Sequence, residues 1–397
     1  MRKSFYILAA AATMLASCAQ TEKINNDLLN NEQAVIGFAS YSEKTTRGDV
    51  NAPANLEYYH GTFAVYGTKK NKHDANDIQY VFGDKATATG VQAGVTCTYQ
   101  NQADAVLGDW KYTDPRIWDK QADYDFIAYA PALAGNNIRY YYNAANSEVG
   151  DAGNRFKTSS AYILTGTNLQ ATATQAEKTK GFNAANTDLD LMISGSVAKD
   201  GANHGDYVNL AFKHILSKFN VTIAQAESLY NSDVTIKEVT ISGLKDKGSY
   251  DQADYDNTAD PMVSGWTADS EDNTYKLIYN KAGGQKLDKG QYVDDDSDNA
   301  TPDVYQAGVP YFFIESLVMP QDVADDAVTL NIKYNITTGS HSEDFEYELD
   351  LYDVAALRQF YDGYNYFLNF TISPDPIKFD ATVSTWDQTV NAAKTID

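Results

Sequence analysis

The sequence is poor in the residues that build cross-links. It has two cysteines, Cys18 and Cys97, in 397 residues. Because Cys18 lies at the end of an apolar export signal, Cys97 has no partner elsewhere in the chain, and we expect no internal disulfide. A packed core must therefore hold the fold, for which a hydrophobic content of 43% is sufficient.

Positive charge is also scarce. Lysine and arginine number 31 against 54 aspartates and glutamates, which gives a net charge of −23. Recognition of phosphates needs clustered basic side chains, so this balance argues against a nucleic-acid partner. The same acidity favours a soluble surface that repels its neighbours until a specific contact joins them.

The sequence lacks the common catalytic motifs. It contains no GxSxG elbow, no GxGxxG and no P-loop. His214 lies on an alternating segment near Leu210 and Phe212, so we expect a buried, hydrogen-bonded histidine rather than a ligand or base. No two histidines have the HxxxH spacing of a metal site; they are His60, His73, His204, His214 and His341. We therefore predict no enzymatic activity, no cofactor and no metal site.

One acidic stretch partly matches a calcium-binding loop. Asp294, Asp296 and Asp298 occupy the first three ligand positions of an EF-hand loop. The sixth position holds Asn299 instead of glycine, and the twelfth holds Tyr305 instead of a bidentate glutamate. We interpret the stretch as a solvated acidic loop, with an incidental Ca²⁺ site as the alternative.

Trp110 and Trp118 form a second ambiguous pattern. Exposed tryptophans can form a stacking platform for sugars, but tryptophans that flank a strand more often pack in a core. We expect both of these to be core residues.

The N-terminus, MRKSFYILAAAATMLASCAQ, is typical of a secretory signal. Its apolar run from Phe5 to Ala16 is too short to cross a hydrocarbon core of about 30 Å. Residues 15–18, Leu-Ala-Ser-Cys, resemble a bacterial lipobox, in which cleavage before the cysteine accompanies lipidation of its thiol. We predict a signal peptide at 1–17 and a lipid on Cys18; an ordinary signal peptide with a chance cysteine is the alternative.

Most of the remaining chain alternates apolar and polar residues with a period of two. This pattern, bounded by turn residues, predicts short antiparallel strands and favours two β-sandwich domains. A polar linker near residues 198–206 predicts a boundary between domains at 48–202 and 203–397. Residues 354–363 indicate a helical turn or short helix. The predicted strands are 61–67, 78–83, 124–131, 159–167, 208–215, 219–223, 234–244, 328–336, 345–352 and 364–372.

Several segments, in order along the chain, resemble the fimbrillin-like proteins of Bacteroides-type bacteria. The segment NLAFKHILSKFNVTI, at 209–223, resembles their F-x-H-x-L-[SA]-K strand. Residues 132–187 and 245–310 carry no such resemblance. The other matching segments are AVIGFASYSEKTTRG, which resembles their first mature strand, YDFIAYAP, and FYDGYNYFLNFTI followed by IKFDATVSTW.

The resemblance implies a type V pilus subunit with an all-β fold. Such a subunit has two transthyretin-like antiparallel β-sandwich domains with Greek-key connections. It is exported as an outer membrane lipoprotein precursor and cut by a trypsin-like, Arg-specific protease beyond its first strand. A neighbouring subunit's strand then fills the groove that opens, and the product becomes part of a cell-surface fimbrium that supports adhesion.

Carried onto this chain, the resemblance assigns Cys18 as the lipid attachment site and Arg47-Gly48 as the cleavage site. Residues 18–47 become a propeptide that includes the first strand. The expected partners are other fimbrial subunits, in a self-polymer or with anchor or tip subunits, together with the protease and the outer membrane. The tail near 380–397 becomes the donor strand, with Ala381, Val383, Trp386, Val390 and Ala392 as its apolar residues.

The first strand has the pattern that this mechanism needs. In NEQAVIGFASYSE, Ala34, Ile36 and Phe38 fall on one face and Val35, Ala39 and Tyr41 on the other, so the segment suits burial on both faces. Loss of such a strand would leave unpaired backbone groups beside empty apolar pockets, which promotes the addition of a strand from another chain.

Residues 47–49 also spell Arg-Gly-Asp, which suggests an adhesive loop. A cut between Arg47 and Gly48 would destroy that tripeptide, and we favour the cleavage site over both an adhesive motif and a plain surface loop. Arg47 is the only arginine between the signal peptide and Trp110; the six arginines are Arg2, Arg47, Arg116, Arg139, Arg155 and Arg358.

The alternative function is a surface lipoprotein that does not polymerise, such as a tip adhesin. It would bind a glycan or a protein through Trp110, Trp118 and surface tyrosines.

Overall fold

The structure, a computed structural model, is built almost entirely of β-strands, which confirms the predicted all-β class. It describes residues 34–42, 61–83, 94–100, 109–132, 138–141, 155–158, 162–163, 169–171, 178–181, 191–203, 207–245, 247–251, 264–268, 274–293, 304–374 and 378–385.

The strands in the first half of the chain are mostly short. They are β1 Phe38–Ser42, β2 Thr62–Asn71, β3 Asp74–Phe82, β4 Val95–Gln100, β5 Asp109–Lys111, β6 Ala122–Ala130, β7 Ile138–Tyr141, β8 Arg155–Thr158, β9 Tyr162–Ile163, β10 Leu169–Ala171, β11 Lys178–Gly181, β12 Met192–Ser194, β13 Val197–Asp200 and β14 Val208–His214.

The second half contains the longest strands. They are β15 Ser217–Gln225, β16 Asp233–Lys245, β17 Lys247–Tyr250, β18 Trp266–Ala268, β19 Thr274–Lys286, β20 Gln291–Val293, β21 Val304–Gln306, β22 Tyr311–Val318, β23 Gln321–Asp322, β24 Thr329–Thr338, β25 His341–Asp350, β26 Gln359–Phe360, β27 Tyr364–Ile372 and β28 Lys378–Thr385.

Four 3-10 turns are the helical elements of the described chain: Gly201–Asn203, Glu227–Leu229, Leu351–Asp353 and Ala355–Leu357. The helical turn predicted at 354–363 is the last of these, and β26 follows it. Of the predicted strand at 159–167, the structure describes residues 162 and 163, which form β9; the other residues of that prediction lie outside the described residues. No helix of the described residues is long and apolar enough to span a membrane.

The N-terminal sheet has nine strands in the order β1-β14-β12-β6-β2-β4-β5, with β3 and β13 added beside β2 and β6. An antiparallel bridge joins Val35, just before β1, to Ile117, which follows β5. The sheet therefore curves until its two ends meet. Its inner face is filled by a core that includes Phe63, Val65, Phe126, Ala128, Leu210 and Phe212.

The outer face of this sheet is buried as well. Ala64 and Tyr66 on β2 and Ile127 and Tyr129 on β6 belong to the second, larger core. Because both faces are covered, six consecutive residues of β2 and five of β6 are buried, and these strands read as nearly continuous apolar runs.

The larger core lies between a six-stranded sheet, β10-β11-β19-β16-β24-β25, and a four-stranded sheet, β22-β15-β27-β28. Side chains from the two sheets meet in one cluster, as in a β-sandwich. Examples are Val234, Ile236, Leu330 and Ile332 from the six-stranded sheet and Val221, Ile223, Leu368 and Phe370 from the four-stranded sheet.

Most strand pairs are antiparallel, as predicted, but three pairs of described strands are parallel: β1–β14, β11–β19 and β15–β27. Alternation indicates a strand but not the direction of its partner, so the sequence pattern did not distinguish these pairs.

Strands from each half of the chain also belong to sheets formed mainly by the other half. β9 pairs with β17 and β11 with β19, so strands within 48–202 join sheets formed mainly by later residues. Conversely, β14 lies in the N-terminal sheet although it starts after residue 203. The domain boundary near 202 stays a prediction.

The buried Asp362 lies near the junction between β14 and β15, and the residues next to it and to its partners are hydrogen-bonded to that junction. Asp362 accepts hydrogen bonds from Ser264 Oγ and from the backbone N–H of Gly265, at 3.2 Å. The indole N–H of the adjacent Trp266 donates to the carbonyl of Ile215 in the junction. Gly363 donates its backbone N–H to Leu216 O at 3.0 Å. Burial raises the pKa of Asp362 to about 7.

We expect this carboxyl group to make stability depend on pH. The folded pKa of Asp362 lies above the usual value of 3.8, so the folded chain retains a proton that the unfolded chain loses, and stability falls as pH rises from about 4 to about 7. In Asp362→Asn, the fall in Tm over this range should be smaller, whereas the exposed control Asp322→Asn should follow the wild type. Equal slopes in all three proteins would contradict this assignment.

Candidate functional site

Residues 34–42 form an extended segment whose two ends are hydrogen-bonded on opposite edges, residues 37–42 to β14 and residues 34–36 to residues 116–118. On one edge β1 runs parallel to β14, from Phe38 opposite Val208 to Ser42 opposite Phe212, and Val208 N–H donates to Gly37 O at 2.8 Å. We call the space that this segment occupies, between β14 and residues 116–118, the first-strand slot.

The opposite edge of the segment is antiparallel to residues 116–118. Ile36 N–H donates to Arg116 O at 2.8 Å, and Trp118 N–H donates to Ala34 O at 3.0 Å. The segment therefore joins the two ends of the curved N-terminal sheet.

The side chains of the segment alternate as predicted. Ala34, Ile36 and Phe38 point into the core, with exposed fractions of 6%, 0% and 2%. Val35 and Ala39, on the other face, are half-buried, so burial of that face is only partial. Each buried aliphatic or aromatic side chain of this kind contributes about 1.5–3 kcal/mol to the folded state.

Phe38 is the centre of an aromatic cluster. Its ring makes edge-to-face contacts with four rings, at centroid distances of 6.1 Å to Phe63, 5.1 Å to Phe82, 5.8 Å to Tyr112 and 5.8 Å to Phe126. Contacts of this geometry add about 0.5–1.5 kcal/mol each beyond burial. The four partners come from β2, β3, β6 and the segment after β5, so this one side chain contacts four separate segments of the N-terminal sheet.

The side chains of Tyr112 and Arg116 make hydrogen bonds at the edge of the slot formed by residues 116–118. Tyr112 Oη donates to Ile36 O at 2.6 Å, and burial raises the pKa of Tyr112 to about 12, so the phenol remains a donor at neutral pH. Arg116 Nε donates to Val81 O at 3.2 Å, and its guanidinium lies 5.5 Å from the centre of the Phe82 ring.

The predicted burial of Trp110, Trp118 and His214 is confirmed, with exposed fractions of 6%, 5% and 6%. The Trp110 ring lies 4.6 Å from Phe63, and the Trp118 ring 4.8 Å from Tyr124. Neither indole presents a free face to solvent, so the two tryptophans are core residues and do not form a sugar platform.

The predicted donor tail begins inside its own subunit. β28 pairs antiparallel with β27, with Ala381 opposite Leu368 and Val383 opposite Tyr366. Ala381 is buried and Val383 half-buried. β28 lies at the end of the four-stranded sheet.

The remaining predicted site residues lie outside the described residues. They are Cys18, Arg47, Gly48, Trp386, Val390 and Ala392, together with the acidic stretch at 294–298. Their roles stay predictions.

Among the described residues, the carboxylates of Asp325, Asp326 and Asp350 come close enough together to share a cation. Asp350 already accepts backbone N–H groups, from Asp326 at 2.7 Å and from Tyr352 at 3.0 Å. Since Asp350 caps the 3-10 turn that follows it, we interpret the group as a capping arrangement rather than a metal centre.

The residues that line the slot were not identified from the sequence. Phe126 lies on a predicted strand, and its alternation marks it as buried, but period-two patterning does not reveal which strand it faces. Tyr112 and Arg116 lie in a segment with no regular pattern, and their backbone and side-chain contacts with residues 36 and 81 depend on the tertiary fold.

We expect Phe38→Ala to lower the free energy of unfolding by about 3–5 kcal/mol, because the cavity would lie among four aromatic rings. The matched control is Phe312→Ala, where the ring is 48% exposed and the loss should be below about 1 kcal/mol. Urea unfolding of the uncut chain measures both changes. Equal losses in the two variants would show that Phe38 has no special structural role.

One family of known proteins matches this chain. The family model described as fimbrillin-like matches residues 62–386, which is well over half of the chain. No curated protein matches the chain.

Solved structures give low-identity matches over nearly the full length. A fimbrial protein from Bacteroides vulgatus is 14% identical, with 89% of this chain and 99% of that chain covered and a TM-score of 0.48. A candidate cell adhesion protein from Bacteroides uniformis is 15% identical, with 90% and 99% covered and a TM-score of 0.45. At these TM-scores the assignment depends on the family model, and by that match the chain belongs to the fimbrillin-like family.

Proposed function

We propose that this chain is a structural subunit of a cell-surface fimbria, which polymerises by strand exchange after Arg-specific proteolysis and supports adhesion. The observation that carries the proposal is the placement of residues 34–42. They join the two ends of the N-terminal sheet, and they precede Arg47, so one cut after Arg47 would separate this first strand from the rest of the chain.

Departure of this segment would open both edges of the slot. Val208 N–H and Arg116 O would each lose a backbone partner, and Trp118 N–H would lose its acceptor. The pocket around Phe38 would be empty. Unpaired backbone groups beside an apolar pocket favour the addition of an extended strand from another chain.

The contacts of the other arginines support a single cut. Arg116 is hydrogen-bonded to Val81 O and stacked on Phe82. Arg358 Nε donates to Tyr352 O at 2.8 Å, and its guanidinium lies 4.6 Å from the centre of the Tyr352 ring. Arg139 and Arg155 lie in the paired strands β7 and β8. Proteases cut backbone that can extend into the active site, which folded and paired segments resist.

The proposed life history begins with export. The signal at 1–17 directs the chain out of the cytoplasm, a lipid on Cys18 anchors the precursor to the outer membrane, and cleavage between Arg47 and Gly48 by a trypsin-like protease removes the lipidated propeptide. The subunit then joins other fimbrial subunits, either copies of itself or anchor and tip subunits.

The proposed donor is the tail, through Ala381, Val383, Trp386, Val390 and Ala392. Ala381 and Val383 already belong to β28, so either β28 stays in place and later residues act as the donor, or β28 detaches from β27. The second route would break a ladder of eight paired residues, which favours a donor that starts after Thr385.

A second candidate function is a tip adhesin that binds a glycan or protein without polymerising. The observation in its favour is a surface cluster of Tyr230, Tyr292 and Tyr305, with ring centroids 5.0–6.3 Å apart. Tyr292 Oη donates to Glu227 at 2.9 Å, and the Tyr292 side chain is 42% exposed. Exposed aromatic groups beside a carboxylate suit ligand contact.

Treatment of the lipidated precursor with an Arg-specific protease tests the proposal. The wild type should lose residues up to Arg47 and only then form ladders that resist heating in detergent. Arg47→Lys keeps the charge but removes the cleavage site, so it should stay monomeric, as should Arg47→Ala. The control Arg358→Ala should be cut and should assemble like the wild type.

Assembly of Arg47→Ala as efficient as that of the wild type would refute the cleavage mechanism. A processed protein that remains monomeric and binds one glycan specifically would favour the adhesin.

A further inference from the structure

The first-strand slot has an uneven cross-section that suits some strands better than others. The first constraint is the direction of the strand that occupies the slot, which its hydrogen-bond partners determine. An occupant must run parallel to β14 and antiparallel to residues 116–118 to use the hydrogen bonds that Gly37 and Ile36 now make. A strand entering in the opposite direction would pair antiparallel with β14 and parallel with residues 116–118, and it would have to form a different set of hydrogen bonds.

A side chain at the position of Gly37 would require the neighbouring Tyr207 ring to move. A Cβ atom placed there would lie 2.8 Å from both Cδ1 and Cε1 of the Tyr207 ring, closer than real Cβ atoms approach. The backbone of Gly37 has no positive φ that would itself require glycine. The restriction therefore comes from the Tyr207 ring, which a larger residue would have to displace.

The positions on either side of Gly37 demand large apolar groups. Ile36 is fully buried, and Phe38 fills the pocket between Phe63, Phe82 and Phe126. A polar or small residue at the second of these positions would leave the aromatic pocket empty.

We infer that the first-strand slot selects its occupant by an aliphatic–glycine–aromatic triplet, and that a partner subunit whose donor strand carries this triplet fills it better than the tail of a second copy of this chain. The inference rests on the proposed strand exchange and adds the kind of partner that the slot prefers.

The tail of this chain lacks the triplet. Its two aromatic residues from position 378 onward are Phe379, preceded by Ile377-Lys378, and Trp386, preceded by Ser384-Thr385. A copy of the tail would therefore place lysine or threonine against Tyr207 whenever its aromatic residue entered the Phe38 pocket. Because of this mismatch, we expect the tail of a second copy to bind the first-strand slot more weakly than the donor strand of a different subunit that carries the triplet.

The test uses the full chain after export processing, cut at Arg47, which is titrated into labelled synthetic peptides held at a low, fixed concentration. The peptides are residues 33–44, the same peptide with Gly37→Val or Phe38→Ala, and residues 380–397. Fluorescence anisotropy gives each Kd, and intact mass confirms the cut. We expect the unchanged 33–44 peptide to bind at least about tenfold more tightly than each of the other three.

A protein variant separates the two selection elements. Tyr207→Ala should restore binding of the Gly37→Val peptide to within about threefold of the unchanged peptide. The same variant should not restore binding of the Phe38→Ala peptide. Similarly, Gly37→Val in the uncut chain should lower Tm, and Tyr207→Ala in the same chain should recover most of that loss.

The outcomes distinguish this inference from the proposed function. Peptide exchange with equal affinity for all four peptides, or no rescue by Tyr207→Ala, would overturn the selectivity and leave strand exchange standing. If the chain is cut completely and no peptide or subunit binds in the first-strand slot, the proposed strand exchange is wrong, and the proposed selectivity is wrong as well.

Discussion

The backbone pairing of residues 34–42 is the interaction on which the rest of the structure depends. This segment has hydrogen bonds to β14 on one side and to residues 116–118 on the other. It closes the curved sheet, and it places Phe38 among four aromatic rings. Arg47, the proposed cleavage site, follows this segment in the sequence, so the proposed cut would make the fold of the chain depend on a strand that another chain can replace.

The two cores explain how the subunit could survive such a change. The inner face of the N-terminal sheet depends on the first strand, whereas its outer face packs into the larger core through Ala64, Tyr66, Ile127 and Tyr129. That larger core includes none of residues 34–42. Loss of the first strand would therefore expose one core while the other still holds β2 and β6 in place.

The sequence predicted many of the core strands but missed others, such as β19 and β22, and it did not predict how the strands pair. Period-two alternation located β2, β6, β14, β16, β24 and β27, because burial of one or both sheet faces imposes that pattern locally. The parallel pairing of β1 with β14, the passage of β9 and β11 into the later sheets, and the Tyr112 hydroxyl bonded to a carbonyl 76 residues away are tertiary facts with no local signature. The inward face of residues 34–38 was predictable, and its aromatic partners were not.

Hydrogen exchange with mass spectrometry on the uncut precursor and on purified assemblies tests the central claim most directly. One digest can report both the protection of β14 and whether residues 34–42 are present. Strand replacement predicts slow exchange of the β14 amides in both states, with peptides from residues 34–42 present in the precursor and absent from the assembly. Assemblies that retain residues 34–42 in equimolar amount, with the same protection as in the precursor, would contradict it.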